Sequence, residues 1–203
     1  MLTIRTSFGS PFGRKARIAV GVLGLDDKVK AEPATTQDPA DPLRRQNPLG
    51  KIPVLILDDG SAIFDSPVIL EYLDHLAGGG KIIPTDFKAR IDALQLQALA
   101  DGIMDASILI VYEGRYRPAE RHEQKWLDLQ AGKIDRALAV LEAAPPGLDA
   151  TPNVGQITLA CALGYREFRF PGSLKKHCPR LTAWLDTFAA RVPSFETTKP
   201  PPG

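Results

Sequence analysis

The sequence predicts an α/β domain joined to an all-helical one. Between residues 1 and about 77, short apolar runs alternate with helical stretches in the order βαβ, a link, then ββα. After Pro84 strand signals stop, while apolar residues go on recurring at helical spacing. The glycine-rich stretch AGGGKIIPTD marks the joint between the two patterns. The expected division is a first domain over 1–77, a linker over 78–87 and a helical domain over 88–203.

In chain order, LTIRT (2–6) reads as a strand. Ser10 supplies a side-chain oxygen for a helix N-terminus and Pro11 suits its first position, so a helix is expected over 11–24. KVKAE (28–32) is the next strand, then PVLIL and SAIF flank Asp59-Gly60, a turn signal that makes the last two strands antiparallel. A helix follows over 66–77, with Ser66 as its cap and Pro67 at its first position.

In the second half, Leu94, Ala98, Ile103 and Ile110, then Ile134, Leu138 and Leu141, mark buried helix faces. Breaks at Pro118, 145–147, Pro152, 171–172 and Pro179 divide it into four or five helices, the first over about 86–113. Asn153 and Gln156 form a capping box, with Pro152 and Ile157 as its hydrophobic staple. TTKPPPG (197–203) reads as a frayed tail.

Composition narrows the function. Lys plus Arg is 25 against 24 Asp plus Glu, a net charge of +1, which argues against nucleic acid or an anionic membrane as partner and favours a small ligand. No leader pattern and no apolar run approaching the ~20 residues of a membrane helix is evident, so a cytoplasmic protein is expected. Cys161 and Cys178 lack metal or CxxC spacing and are expected as reduced thiols, with no metal site. His75, His122 and His177 are scattered and read as surface residues. Arg14, Lys15 and Arg17 read as a solvated helix face. In the stretch 111–126, Tyr112, Tyr116 and Trp126 interleave with Arg115, Arg117 and Arg121, but Glu113, Glu120, Glu123 and Asp128 offset that charge. The stretch is expected to be a helix end and loop bordering a substrate pocket.

Three features converge on an anion site. The helix starts at Ser10 and at Asp65-Ser66 each gather free N–H groups and the positive end of a helix dipole. Pro53 opens a strand directly after a loop, a setting for a cis proline that would expose the Ile52 backbone. Together they suit an extended, peptide-like anion, and a thiolate would be stabilised at Ser10.

SPFGRKARIAV, NPLGKIPVL, FDSPVILEYLD, GQITLACALGYREFR and CPRLTAWLDTFAARVPSF, in that order and spacing, resemble the cytosolic glutathione transferase family, and specifically bacterial members with a serine or cysteine before Pro-Phe. Val192 interrupts the usual Arg-Pro pair and Gln156 stands where an acidic residue is usual. The resemblance implies a thioredoxin-like domain, an all-helical domain, a homodimer and glutathione as co-substrate, in a detoxifying transferase that conjugates its thiol to small hydrophobic electrophiles. It implies Ser10 as the hydroxyl facing the glutathione sulfur, with Ser7 as its rival, and Phe12 beside the thiol. It implies that Ile52, held by Pro53, pairs with the cysteinyl backbone, that Asp65 and Ser66 hold the γ-glutamyl end and that Lys51 meets the glycyl carboxylate. The electrophile pocket would be lined by Phe12, Met104, Ile108, Val111 and Tyr112. Two other classes remain open: a glutathione-dependent thiol reductase or peroxidase, and a ligand-binding module without turnover.

Overall fold

The computed structural model describes residues 1–201. The chain begins with β1 (Leu2–Thr6), α1 (Pro11–Leu23), β2 (Val29–Pro33), a one-turn α2 (Leu43–Gln46), β3 (Val54–Ile56), β4 (Ala62–Ile63) and α3 (Ser66–Leu76). The strands form one mixed sheet in the order β2-β1-β3-β4, with β1 and β2 parallel and the other neighbours antiparallel. Along β1, Leu2, Ile4 and Thr6 are buried. A Cβ on Gly13 would stand 1.8 Å from Thr6 Oγ1, so α1 lies at a distance from the strand end that only glycine permits. The Asp59-Gly60 signal marks a three-residue hairpin loop: the Gly60 N–H reaches the Leu57 carbonyl at 3.0 Å, and Gly60 takes φ 83°.

The second half is helical among the described residues: α4 (Phe87–Tyr116), a 3₁₀ turn (Ala119–Arg121), α5 (Gln124–Ala143), α6 (Val154–Arg169), α7 (Ser173–His177), α8 (Pro179–Arg191) and α9 (Pro193–Thr197). These six helices exceed the four or five expected, because Pro193 opens a further turn after α8. The central α6 is largely buried and packs against α1 and α4. Its start is set by the capping box, in which Asn153 Oδ1 accepts the Gly155 and Gln156 N–H groups at 3.0 and 3.1 Å, and Gln156 Oε1 accepts the Asn153 N–H at 2.9 Å. Gln156 Nε2 also donates to the Gly147 carbonyl at 2.8 Å. An acidic residue lacks that donor, which accounts for the amide at this position.

The glycine-rich joint is anchored by one carboxylate. Asp74, near the end of α3, is buried and accepts the backbone N–H groups of Gly80, Lys81 and Ile82 at 2.8 to 2.9 Å. Ile82 and Ile83 are buried, and the Ile82 carbonyl accepts the Val154 N–H at the head of α6.

Several expectations are corrected. Ala98 is exposed, and the buried stripe of α4 runs through Ala93, Gln97, Ala100, Ile103, Met104, Ala106 and Ser107. An 18-residue window of α4 reaches a mean hydropathy of 1.4, long and apolar enough by length and composition to cross a membrane, against the expectation that no segment does. Its apolar residues are shared between the stripe buried against α5 and α6 and the exposed Phe87, Ile91 and Leu99. The cap of α3 is Asp65, so Ser66 and Pro67 are its first two helical residues. In the tail, Thr198 is buried with its hydroxyl 2.6 Å from the Ser194 carbonyl, while the last two residues of TTKPPPG lie outside the described residues.

The largest correction concerns Arg14, Lys15 and Arg17. Arg14 and Lys15 are buried where α1 meets the helical half. Lys15 Nζ lies 2.7 and 3.0 Å from the two oxygens of Asp101 on α4. Arg14 donates to the Phe195 carbonyl at 2.7 Å and stacks on the Phe195 ring, its Cζ 4.0 Å from the centroid. Arg17 is half-buried over the Phe8 ring. The charge run is a seam between the halves, because α1 is covered by the sheet on one side and by α6 and α9 on another.

Candidate functional site

A cleft of about 720 Å³ opens between the loop that follows β1, the loop that precedes β3, and the facing sides of α4 and α6. Its first wall comes from the β1–α1 connection: Ser7, Gly9, Ser10, Pro11 and Phe12. Ser10 Oγ accepts the Gly13 N–H at 3.2 Å and the Ser10 carbonyl accepts the Arg14 N–H at 2.9 Å. Pro11 has no N–H, so the Phe12 N–H is the first-turn donor left without a partner among the described residues. With its oxygen engaged as an acceptor, the Ser10 hydroxyl keeps its proton to donate. Ser7 borders the same cleft, and its carbonyl accepts the Ser10 N–H at 3.0 Å.

The second wall is Gly50, Lys51 and Ile52. Asn47, almost fully buried, shapes it by donating to the Lys51 carbonyl at 3.0 Å and accepting the Leu49 N–H at 3.0 Å. Gly50 turns the chain at φ 61°, and the Ile52–Pro53 peptide is cis. Thr36 reaches the cleft from the loop after β2, which Asp41 ties down: its carboxylate accepts the Thr35 and Leu43 N–H groups at 3.0 and 2.8 Å and pairs with Arg5 at 2.8 Å. The Thr35 N–H above all, with Leu43 and Arg5 adding, holds the Asp41 carboxyl below its usual range.

The helical wall carries Asp105, Ile108, Leu109, Tyr112, Arg115 and Tyr116 on α4, and Tyr165 and Arg169 on α6. Burial pushes the Asp105 carboxyl up, against the pull of Lys51 and Lys15, and Asp65 adds to the rise. Burial likewise pushes the Tyr165 phenol up, opposed by Arg169.

Of the residues singled out from sequence, Ser7, Ser10, Pro11, Phe12, Lys51, Ile52, Ile108, Tyr112, Arg115 and Tyr116 meet at this cleft, while Arg117, Arg121 and Trp126 of the stretch 111–126 do not line it. Pro53 is buried directly behind Ile52. Asp65 is exposed at the start of α3, and Ser66 is buried beside it. Met104 is fully buried in the core and Val111 is half-buried away from the cleft, so neither lines it. Helical spacing could not separate them from Ile108, since all three recur on one broad face and only the packing of α6 divides core from wall. Tyr165 and Arg169 were missed altogether. They sit in GQITLACALGYREFR, where nothing local distinguishes a wall residue from the end of a buried helix. Cys161 and Cys178 are both free and buried, outside the cleft. Burial pushes the Cys161 thiol up to about 12, despite the nearby Arg14.

The glutathione S-transferase N-terminal domain model matches residues 6–81, and the C-terminal domain model of the same family matches residues 124–187. The chain is 36% identical over 202 residues to a GST-like protein of Escherichia coli K12, YibF, itself uncharacterized, with 96% of each chain covered. A glutathione transferase family member from Pseudomonas fluorescens Pf-5 was solved with bound glutathione; it is 42% identical, with 99% and 100% of the two chains covered and a TM-score of 0.89. A second structure of a family member from the same organism, at 42% identity, the same coverage and a TM-score of 0.85, holds S-(propanoic acid)-glutathione.

Proposed function

The chain belongs to the glutathione S-transferase family, and from that premise we propose that it binds glutathione in this cleft and transfers the thiolate to a small electrophile held against α4 and α6. The observation that carries the proposal is the meeting of Ser10, Phe12, Lys51 and Ile52 at one cleft on the N-terminal end of α1. Bound glutathione in the Pseudomonas relative supports it. In this reading Ile52 pairs with the cysteinyl backbone and Lys51 meets the glycyl carboxylate. Asp65 and the Ser66 N–H hold the γ-glutamyl ammonium and carboxylate. The Ser10 hydroxyl donates to the sulfur.

No strong base is required. A thiol near pKa 8.5 needs a fall of about 1.5 to 2 units to be about half to three-quarters ionised at pH 7, roughly 2 to 3 kcal/mol. One charge-assisted hydrogen bond from Ser10, with the dipole of α1, is of that size. The proton leaves to water, and the thiolate attacks the electrophile across the cleft. Disulfide exchange is a weaker reading, because it needs a cysteine where Ser10 stands and both cysteines lie elsewhere. We also propose self-association through α3 and α4, where Val68, Phe87 and Ile91 are exposed apolar residues.

The test is the ultraviolet titration of bound glutathione thiolate. Ser10→Ala is expected to raise its pKa and, by removing the cap on the Gly13 N–H, to lower stability by about 1 kcal/mol. Ser7→Ala should leave the titration in place. The reverse result would move the catalytic hydroxyl to Ser7 and leave Ser10 as a cap.

A further inference from the structure

The helical wall of the cleft carries positive charge that the proposed glutathione contacts leave unmet. Lys51, Arg115 and Arg169 line it against one carboxylate, Asp105, and none of the three cations is in an ion pair among the described residues. Lys51 stands on the glutathione side and is taken up by the glycyl carboxylate. The two arginines stand on the opposite wall, with the aromatic rings.

Their placement presents N–H edges rather than buried charge. The Arg169 guanidinium lies over the Phe168 ring, 4.3 Å from its centroid, and 5.7 Å from that of Tyr165. Its Nε is buried with no hydrogen-bond partner, and Nη2 lies 3.6 Å from the point where a Cβ would stand on Gly9, in the loop between Ser7 and Ser10. Arg115 is exposed one turn after Tyr112, its Cζ 5.2 Å from that ring centroid. Stacking holds a guanidinium plane while leaving its edge free for a bidentate carboxylate.

We infer that the second substrate carries a carboxylate a short arm from its reacting carbon, bound by Arg169 with Arg115 at the mouth, beside Tyr112, Tyr116 and Tyr165. The inference rests on the proposed glutathione site and names the class of acceptor for it: a small electrophile bearing a carboxylate, with an α,β-unsaturated carboxylic acid as the worked case. In the reaction the sulfur lone pair forms a C–S bond to the β-carbon. The π pair of the double bond moves to the α-carbon, which takes a proton from water and so recovers the one lost from the thiol. Nothing leaves, and no external oxidant or reductant is needed.

The experiment compares two ligands that differ only in the terminal group, S-(2-carboxyethyl)glutathione and S-propylglutathione, by calorimetric titration of the full chain alongside glutathione itself. The carboxylate form is expected to bind about tenfold or more tightly than the propyl form, the size of one charge-assisted hydrogen bond. That ratio should fall toward one in Arg169→Gln and shrink in Arg115→Gln, the latter being an exposed position that leaves the fold intact. Taking the ratio within each variant cancels any change in its affinity for the tripeptide. Equal binding of the two forms by the natural chain, or a preference that survives both substitutions, overturns the inference while leaving the glutathione site standing. Failure to bind any of the three ligands overturns the glutathione reading, and the inference with it.

Discussion

Two sets of three cations meet opposite fates in this molecule. Arg14, Lys15 and Arg17 form a run in the sequence and look like a solvated face, yet two are buried and hold the halves together. Lys51, Arg115 and Arg169 are far apart in sequence, yet they converge on one cleft without ion-pair partners among the described residues. What separates the sets is the supply of acceptors. The seam offers the Asp101 carboxylate and the Phe195 carbonyl, while the cleft offers three cations only Asp105. A charge with its partner already in the fold is structural, and the unpaired ones that face the cleft are, under the proposed function, left for a ligand.

The largest expected effect breaks the first set. Asp101→Ala leaves the fully buried Lys15 ammonium without its counter-charge, and chemical denaturation should show a loss of about 3 kcal/mol. Burial, with Asp105 and Asp65 adding, pushes the Asp101 carboxyl up against the pull of Lys15, so the pair recovers little beyond the cost of desolvating it. Replacing both residues together, Lys15→Met with Asp101→Leu, should therefore recover most of the loss. A double variant as unstable as Asp101→Ala would show the pair to be a net stabiliser.

Next in size is Arg14→Met, which keeps the buried stem but removes the donor to the Phe195 carbonyl and the contact with its ring. A buried carbonyl left with only the 3.4 Å contact from the Thr198 hydroxyl and a lost cation–π contact together predict a loss of about 2 kcal/mol, read as a lower denaturation midpoint. The same change at Arg17, half-buried and with Nη1 lacking a hydrogen-bond partner, should cost under about 1 kcal/mol. Equal losses at the two positions would erase the distinction between seam and surface.

Smallest in stability, but sharpest for the comparison, is Lys51→Gln. The side chain is exposed and outside every ion pair described, so thermal denaturation should be unchanged within about 1 °C, while the glutathione dissociation constant rises about tenfold. A variant that loses stability and keeps its affinity would place Lys51 with the seam instead of the site.

Much of the proposed glutathione wall was legible locally. Ser10-Pro11, the Asn47 to Pro53 loop and the Asp65-Ser66-Pro67 helix start are each decided by residues within a few positions of one another, through caps, prolines and backbone hydrogen bonds. The opposite wall was legible at Ile108 and at Tyr112, Arg115 and Tyr116 in the stretch 111–126, but not at Tyr165 and Arg169, and Met104 and Val111 were misplaced. The reason is geometric: a core position and a wall position on one helix differ only in what packs against them.

The sequence by itself determined the order of the strands and main helices, the capping box at α6 and the cis Ile52–Pro53 setting, because each rests on short-range periodicity or on the stereochemistry of one or two residues. Only the tertiary structure decided which cations are spent and which are free, that Gln156 reaches back to Gly147, and that Arg169 comes to lie against Gly9. Those outcomes depend on partners many residues away brought together by the packing of α1, α4 and α6, a contact that no local pattern encodes.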